Sequence, residues 1–371
     1  LSGNPHSPLD LTDLVFIDPI GTGFSVLAGK GQASDVWGLA EDAKIVSQIV
    51  REWIQKNNRW NAPKYIAGES FGTTRAAAML PFLNSSAGAI RLNGLILISQ
   101  ALDYTGSTPI ADNLVAFVTY LPTMAATARY HGKGEHQQKP LETLMTEVRA
   151  FASDEYLPAL FKGSSLAKDE YEQIAQKLAG YLGLSVNYIK RSNLRVQAGR
   201  YLRELLREEG LSVGRLDGRY TSKEVDNIAL SPKYDAGSAA ISGAYTAGLN
   251  DYLNNTLAVN WDRSYKISGR EVGKGWVWDR KLSKGGEPMY VNTAPALALA
   301  MSKNPALKVL VTNGYYDYAT PFFDAEYTFN RHGIDMSRVT MTYYEAGHMM
   351  YVHQPSLEKM AADIRLFLNN K

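Results

Sequence analysis

Ser70 lies between two glycines in the stretch 66-IAGESFG-72, where a short apolar run gives way to an Ala-rich one. The pattern is typical of a sharp strand-to-helix turn, because a Cβ two residues either side of the serine would collide in such a turn. The turn would place the hydroxyl at the carboxyl edge of a sheet, with the amide of Phe71 directed at a neighbouring oxyanion. We therefore predict that Ser70 is a nucleophile and that the amide of Phe71 is an oxyanion donor.

A serine hydroxyl needs a base that accepts its proton and an acid that orients the base. In this type of fold the acid and then the histidine are expected after late strands, in that order along the chain. Asp317 and His348 each follow a predicted late strand, and His348 comes directly after Gly347, which allows close approach of the chain. Asp324 and Asp335 are rival acids, but the first falls on a predicted helix and the second precedes a strand. The sequence therefore favours Asp317 as the acid and His348 as the base.

The hydrophobic pattern indicates the elements that would position these side chains. In the first part of the chain it predicts a buried strand over 12–18, an amphipathic helix capped by Ser34, a strand over 65–67, a helix over 73–83 and a strand over 92–99. Near the end it predicts a helix over 294–302, a strand over 308–312, a helix over 322–330, a strand over 339–343 and a last helix opened by Ser356. Alternating strands and helices predict an α/β fold with a mostly parallel central sheet and helices on both faces.

The stretch between these two parts has a different character. Its clear signals are helical, at 112–130, 141–161, 166–182 and 194–210. We therefore expect residues 1–104 and 291–371 to form the two parts of an α/β core, and residues 105–290 to form a largely helical cap inserted between them.

The composition excludes several classes of protein. With 371 residues, 45% of them hydrophobic, and a formal net charge of +2, the chain has no basic stripe of the kind that nucleic acid requires. It also lacks the run of about 18 apolar residues that a membrane span needs. There is no cysteine, and Gly21, Thr22 and Gly23 lack the third glycine of a dinucleotide-binding loop. We therefore expect no metal, no cofactor, no nucleic-acid partner and no membrane association.

Four blocks stand in a fixed order along the chain: 14-LVFIDPIGTGFS-25, 66-IAGESFG-72, 313-NGYYDYATP-321 and 346-AGHMMYVHQP-355. Together they resemble the serine carboxypeptidases, a family with the α/β-hydrolase fold. The resemblance implies that Ser70 is the nucleophile, Asp317 the acid and His348 the base, the same three residues that their positions favour. It further implies peptide substrates with a free C-terminus and a secreted or periplasmic location.

The resemblance also gives a role to Glu69, which would otherwise be interpreted as a solvated carboxylate at a helix N-terminus. In the family, the glutamate before the serine hydrogen-bonds the free C-terminal carboxylate of the peptide. Two carboxylates at hydrogen-bond distance cannot both be ionised comfortably, so a proton must lie between them and acidic pH is favoured. The remaining residues that we expect to line the cleft are Gly21, Thr22, Gly23, Tyr316 and Met349.

The chain departs from the family before Leu14. There the family has a strand that ends in a W-x-N-G-G-P-G loop, which supplies a second oxyanion amide and an asparagine for the substrate carboxylate. The residues before Leu14 contain no such loop, so we expect it to be missing, or to come from an absent N-terminal segment or a separate chain. Three functions stay open: a carboxypeptidase that acts through an acyl-enzyme, an acyltransferase on the same scaffold, and a weakly active or inactive peptide-binding fragment.

Overall fold

The computed structural model describes residues 1–84, 89–259, 261–278 and 290–369. In chain order, its helices and strands are α1 (Leu39–Lys56), β1 (Tyr65–Glu69), α2 (Phe71–Leu83), β2 (Gly94–Ile98), α3 (Leu114–Tyr130), α4 (Leu141–Phe151), α5 (Leu157–Lys162), α6 (Lys168–Leu182), α7 (Val186–Arg191), α8 (Ala198–Glu204), β3 (Leu211–Val213), β4 (Thr221–Lys223), α9 (Ala236–Asp251), α10 (Arg270–Gly275), α11 (Ala294–Lys303), β5 (Lys308–Gly314), α12 (Phe322–Arg331), β6 (Val339–Tyr344) and α13 (Gln354–Asn369).

Strands β1, β2, β5 and β6 form a parallel sheet in this spatial order. Successive side chains of a strand point to opposite faces, and both faces of this sheet are covered. On one face, Leu95 and Leu97 of β2 pack into a cluster with α1, α2 and α11. On the other face, Ile96 and Leu310 pack against Phe367 of α13. A parallel sheet with helices on both faces confirms the predicted α/β class and is consistent with an α/β-hydrolase fold.

The carboxyl ends of the four strands lie along one edge of the sheet. Glu69 of β1 is in register with Ile98 of β2, and Ile98 with Thr312 of β5. Gly314 of β5 is in register with Tyr344 of β6. The loops that leave these strands are therefore neighbours, which places the predicted serine, acid and histidine on one side of the molecule.

The chain between β2 and α11 contains the helices α3 to α10 and the short antiparallel hairpin of β3 and β4. Helix α3 is buried from Ala116 to Ala128 and forms an apolar cluster with α4, α5, α6 and α8. Tyr315 and Phe322, which follow β5 in the sequence, belong to the same cluster. The inserted helices are thus packed directly on the region that carries Asp317. Residues 279–289, near the end of the expected cap, lie outside the described residues.

The predicted strand over 12–18 is wrong. These residues form no strand, and Val15 and Phe16 are 46% and 91% exposed. An apolar run becomes a strand only when a neighbouring strand pairs with it. In the described sheet β1 pairs only with β2, and the run over 12–18 does not add to its free edge.

Two predicted helix starts also differ from the structure. Ser34 lies in a short 3-10 turn (Ala33–Asp35), and α1 begins at Leu39 instead. The reason is a backbone pairing, since Leu39 donates to the carbonyl of Val277 and Val277 donates to that of Trp37, which keeps the chain extended just before the helix. Helix α13 begins two residues before Ser356, whose hydroxyl pairs with the ring of His353 at 2.9 Å.

Candidate active site

Ser70 occupies the turn between β1 and α2. Its backbone angles are φ 54° and ψ −123°, a combination that is strained for a residue with a side chain. Gly68 makes the turn possible, because a Cβ there would lie 2.3 Å from the carbonyl oxygen of Gly72. Gly72 itself has open space where a Cβ would stand, so the expectation that both glycines are sterically required is wrong for the second. A strained serine between a strand and a helix N-terminus has the geometry of a nucleophile elbow.

The amide of Phe71 is the first of α2. The first amides of a helix have no partner within the helix, and the helix dipole adds positive character there. The ring of Phe71 makes edge contacts with Trp276 and Trp278, at 5.2 and 5.6 Å between ring centroids. The guanidinium of Arg75 lies 4.9 Å from the same ring. These contacts hold the first turn of α2 in place, where its leading amide can receive an oxyanion formed beside Ser70.

Asp317 and His348 form a buried pair. Nδ1 of His348 lies 2.8 Å from Oδ2 of Asp317, and the two residues are 6% and 0% exposed. Asp317 also accepts hydrogen bonds from the amides of Ala319 and Thr320 and from the hydroxyl of Thr320. These bonds fix the carboxylate, which in turn orients the imidazole so that Nε2 is left for a substrate or a serine hydroxyl.

The surroundings of His348 make its imidazole more basic. Burial is the largest effect and opposes protonation, but the negative charges of Asp317 and Glu69 outweigh it, so the pKa of His348 is raised above its ordinary value. The positive charge of Arg215 acts in the opposite direction. A more basic imidazole is a better acceptor for the proton of a serine hydroxyl.

Ser70 and His348 are connected through the backbone of the neighbouring strand. The amide of Ser70 donates to the carbonyl of Ile98 at 2.9 Å, and the hydroxyl of Ser99 donates to the carbonyl of His348 at 2.7 Å. Within the part of the chain that the structure describes, no hydrogen bond joins the Ser70 hydroxyl to the imidazole. Such bonds are often long in the absence of substrate and shorten in the complex.

Glu69 is half-buried at the end of β1, beside the loop that carries His348. The hydroxyl of Tyr351 lies 3.1 and 3.0 Å from its two carboxylate oxygens. Burial is the largest effect on this carboxyl and raises the pKa of Glu69, whereas the charge of His348 and the Tyr351 hydrogen bond oppose the rise. Glu69 therefore keeps its proton to a higher pH than an exposed glutamate would.

The remaining predicted cleft residues differ in their exposure. Tyr316 is 1% exposed and packs in the apolar cluster of the inserted helices, and a role for it in lining a cleft stays a prediction. Gly21 and Gly23 are buried with φ values of 94° and 53°, a conformation that favours glycine. Thr22 and Met349 are half-buried.

Sequence reasoning missed Tyr351, Thr320 and Ser99. Thr320 stands three residues after Asp317, a spacing at which a side chain and backbone often hydrogen-bond within one turn. Tyr351 stands three residues after His348, so its nearness to the site could have been inferred from the same sequence block. Ser99 gave no local signal, because its bond to His348 spans 249 residues.

Over the described ranges, no group of three or more His, Cys, Asp or Glu side chains is arranged to hold a metal ion. In those same ranges, no helix is both long enough and apolar enough to pass through a lipid bilayer. Two surface cavities lie in the inserted chain, within 134–143 and 159–195, and neither is lined by Ser70, Asp317 or His348.

The comparison with protein families concerns the part of the chain that contains the elbow. Residues 1–139 match the family model described as serine carboxypeptidase. The resemblance to the serine carboxypeptidases is confirmed. The match includes Glu69, Ser70 and Phe71, whereas Asp317 and His348 lie beyond it. The serine carboxypeptidase match and the strained elbow together support a serine hydrolase.

Similarity to individual proteins is much weaker. No protein with a curated description matches the chain. Among solved structures, the chain is similar to a highly thermostable carboxyl esterase from Bacillus coagulans in complex with glycerol. The two share 12% identity over 95% of this chain and 78% of that one, with a TM-score of 0.36. The two chains are too different for any residue role to be transferred between them.

Proposed function

We propose that the protein is a serine carboxypeptidase, which removes residues one at a time from the C-terminus of peptides. The observation that carries this proposal is the half-buried Glu69, directly before the elbow serine, with a raised pKa and a hydrogen bond from Tyr351. A carboxyl group that retains its proton beside a nucleophile can bind another carboxylate there. The family match over residues 1–139 supports the same reaction, and with it a site of action outside the cytoplasm.

The positions of the side chains support the following reaction. The hydroxyl of Ser70 attacks the carbonyl carbon of the last peptide bond while His348 accepts its proton, and the amide of Phe71 binds the oxyanion. The intermediate then collapses, the C–N bond breaks, and His348 gives the proton to the leaving amino acid. Water, deprotonated by His348, hydrolyses the acyl-enzyme and restores Ser70. Asp317 keeps the imidazole aligned and stabilises its charged form.

Selection of the free C-terminus depends on Glu69. Its proton would be shared with the terminal carboxylate of the substrate, and an amidated peptide offers no such partner. The working form thus has Glu69 protonated and His348 neutral, so it is lost at high pH when Glu69 ionises and at low pH when the imidazole becomes charged. Protonation of Glu69 also removes one of the charges that raise the pKa of His348, so it favours the neutral imidazole.

The decisive experiment uses one peptide in two forms, with its C-terminus free or amidated. Each form is incubated with the protein and with Ser70→Ala at about pH 5, since acidic pH favours the protonated form of Glu69, and the products are followed by mass spectrometry. We expect stepwise loss of single residues from the free form only, and none with Ser70→Ala. Equal cleavage of both forms would contradict the role of Glu69. No cleavage, together with no labelling of Ser70 by a fluorophosphonate, would favour a peptide-binding protein without catalysis.

A further inference from the structure

A short segment of the inserted chain, residues 214–219, lies between the loop that carries Asp317 and the loop that carries His348. We call it the clamp segment. On the side of the acid loop, the amide of Tyr318 donates to the carbonyl of Arg215 at 3.0 Å, and the amide of Gly218 donates to the carbonyl of Tyr316 at 2.9 Å. The clamp segment is therefore bonded to both residues that flank Asp317.

On its other side the clamp segment holds the histidine loop. The amide of His348 donates to the carbonyl of Leu216 at 2.6 Å. The amide of the preceding residue, Gly347, donates to Oδ2 of Asp217 at 3.0 Å. Two consecutive amides, at and before the candidate base, are thus bonded to a segment 130 residues away in the sequence.

The side chain of Asp217 is itself held firmly. It is 8% exposed and accepts hydrogen bonds from the guanidinium of Arg219, with Nε at 3.0 Å from Oδ1 and Nη2 at 2.7 Å from Oδ2. The same arginine donates to the carbonyl of Glu345, at 2.5 Å. A two-point guanidinium bond fixes a carboxylate in direction as well as in position. Arg219 therefore stabilises the contact between Asp217 and the histidine loop. Its guanidinium is paired with Asp217 and the carbonyl of Glu345.

The packing at this contact explains why residue 347 is a glycine. A Cβ on Gly347 would lie 2.3 Å from the carbonyl oxygen of Leu216 and 2.4 Å from Cβ of Asp217. Both distances are far below van der Waals contact, so a side chain there would push the clamp segment away. The glycine before the candidate base is thus required by the approach of the inserted chain.

We infer that Asp217 is a positioning residue for the reaction proposed above, and the inference rests on that proposed function. Asp217 does not touch the imidazole; it holds the amide of Gly347 and so fixes the backbone from which His348 projects. A displacement of about 1 Å at a catalytic group can lower the rate by about a hundredfold, so this restraint matters for catalysis. The inserted chain accordingly supports the backbone of the candidate base.

The test compares two variants with a matched control. Asp217→Ala removes both the acceptor for Gly347 and the partner of Arg219, whereas Asp217→Asn keeps one acceptor oxygen. Asp226→Ala is the control, since Asp226 is an exposed aspartate in the same inserted chain, outside the clamp segment. Amide hydrogen exchange of the peptide that contains Gly347 and His348 is measured alongside kcat and KM.

In Asp217→Ala we expect these amides to exchange at least about tenfold faster, because a hydrogen bond to a charged group is lost. The change should be smaller in Asp217→Asn, and Asp226→Ala should exchange at the wild-type rate. We expect kcat to fall by about 10- to 100-fold in Asp217→Ala with KM nearly unchanged, and Asp217→Asn to recover much of the loss. Gly347→Ala, which displaces the same contact from the opposite side, should reproduce both effects if Asp217→Ala does not fold.

Wild-type exchange rates in folded Asp217→Ala would overturn the inference, as would faster exchange with unchanged kcat. If the wild-type protein does not cleave peptides at all, the proposed function fails instead. The exchange comparison needs no catalytic activity, and in that case it still decides whether Asp217 holds the backbone of His348.

Discussion

The hydroxyl of Tyr351 lies within 3.1 Å of one carboxylate oxygen of Glu69 and 3.0 Å of the other. The contact joins the end of β1 to the loop that carries His348, across 282 residues of sequence. A hydroxyl that donates to a carboxylate stabilises its ionised form, whereas burial destabilises it. The pKa of Glu69 is thus raised by burial and lowered by the Tyr351 hydrogen bond, among other charges. The hydrogen bond can be removed by a single substitution at Tyr351.

Replacement of Glu69 by glutamine should flatten the pH dependence. In the wild type, kcat/KM for peptides with a free carboxylate is expected to fall as the pH rises through the raised pKa of Glu69, because the shared proton is lost. Glutamine cannot ionise, so this fall should disappear. The measurement is kcat/KM against pH for one peptide, with its amidated form as the reference. A mutant profile identical to the wild type would remove Glu69 from substrate recognition.

Tyr351→Phe should move the same fall in kcat/KM to higher pH. The Tyr351 hydrogen bond opposes the rise in the pKa of Glu69 that burial causes, so its loss lets the pKa rise further. The two variants are therefore expected to differ: the fall in kcat/KM is displaced to higher pH in Tyr351→Phe and is absent in Glu69→Gln. The double variant serves as the control: once Glu69 is glutamine, the loss of the hydroxyl should not move the profile.

Asp317→Asn should lower kcat by about 10⁴-fold, as expected when a base loses the acid that orients it. Asp317 contributes the largest effects that raise the pKa of His348, so without its charge that pKa should fall as well. Single-turnover rates measure the first effect and NMR titration of the His348 ring the second. Asp335→Asn, at the exposed rival acid, is the control and should leave both unchanged. An Asp317→Asn variant with nearly full activity would exclude Asp317 as the orienting acid.

Asp324→Asn should make the protein more stable at neutral pH. Asp324 is 0% exposed, and the hydrogen bonds that Ser107 and the amide of Gly106 offer its carboxyl do not compensate for its burial. Burial, with the nearby charge of Asp103, raises the pKa of Asp324 well above 3.8. The folded protein thus holds a proton that the unfolded chain releases above pH 3.8, and stability falls as the pH rises from there towards the folded pKa.

Asparagine cannot lose that proton, so the variant avoids this loss of stability. We expect its Tm at pH 7 to increase by about a degree or more, since about 1 kcal/mol moves the Tm of a chain of this size by roughly 1–2 °C. The difference should vanish near pH 4, where both the folded and the unfolded wild type begin to hold the proton. A Tm difference that does not depend on pH would show that Asp324 does not titrate on unfolding.

The strand ends of the core could be predicted from the sequence, whereas the contacts between them could not. Glu69, Asp317 and His348 stand after apolar runs bounded by glycine or turn residues, and such local patterns are informative. The run over 12–18 has an equally strong pattern and is not a strand, because a propensity says nothing about whether a pairing partner exists. Asp217 carries no local signal, since its partner Gly347 is 130 residues away. Tyr351 lies in the same block as His348, but its bond to Glu69 spans 282 residues and could not be inferred.

The positions of Ser99, Asp217 and His348 along the chain bear on how the protein is made. Ser99 is bonded to His348 across 249 residues, and Asp217 is bonded to the neighbouring Gly347 across 130. Contacts between such distant residues form late, because the intervening chain must first be synthesised and brought into place. A growing chain on the ribosome that has already completed the elbow therefore lacks its base and the support of that base. On the proposed mechanism the nascent protein is therefore inactive until β6 and the loop that carries His348 have emerged from the ribosome.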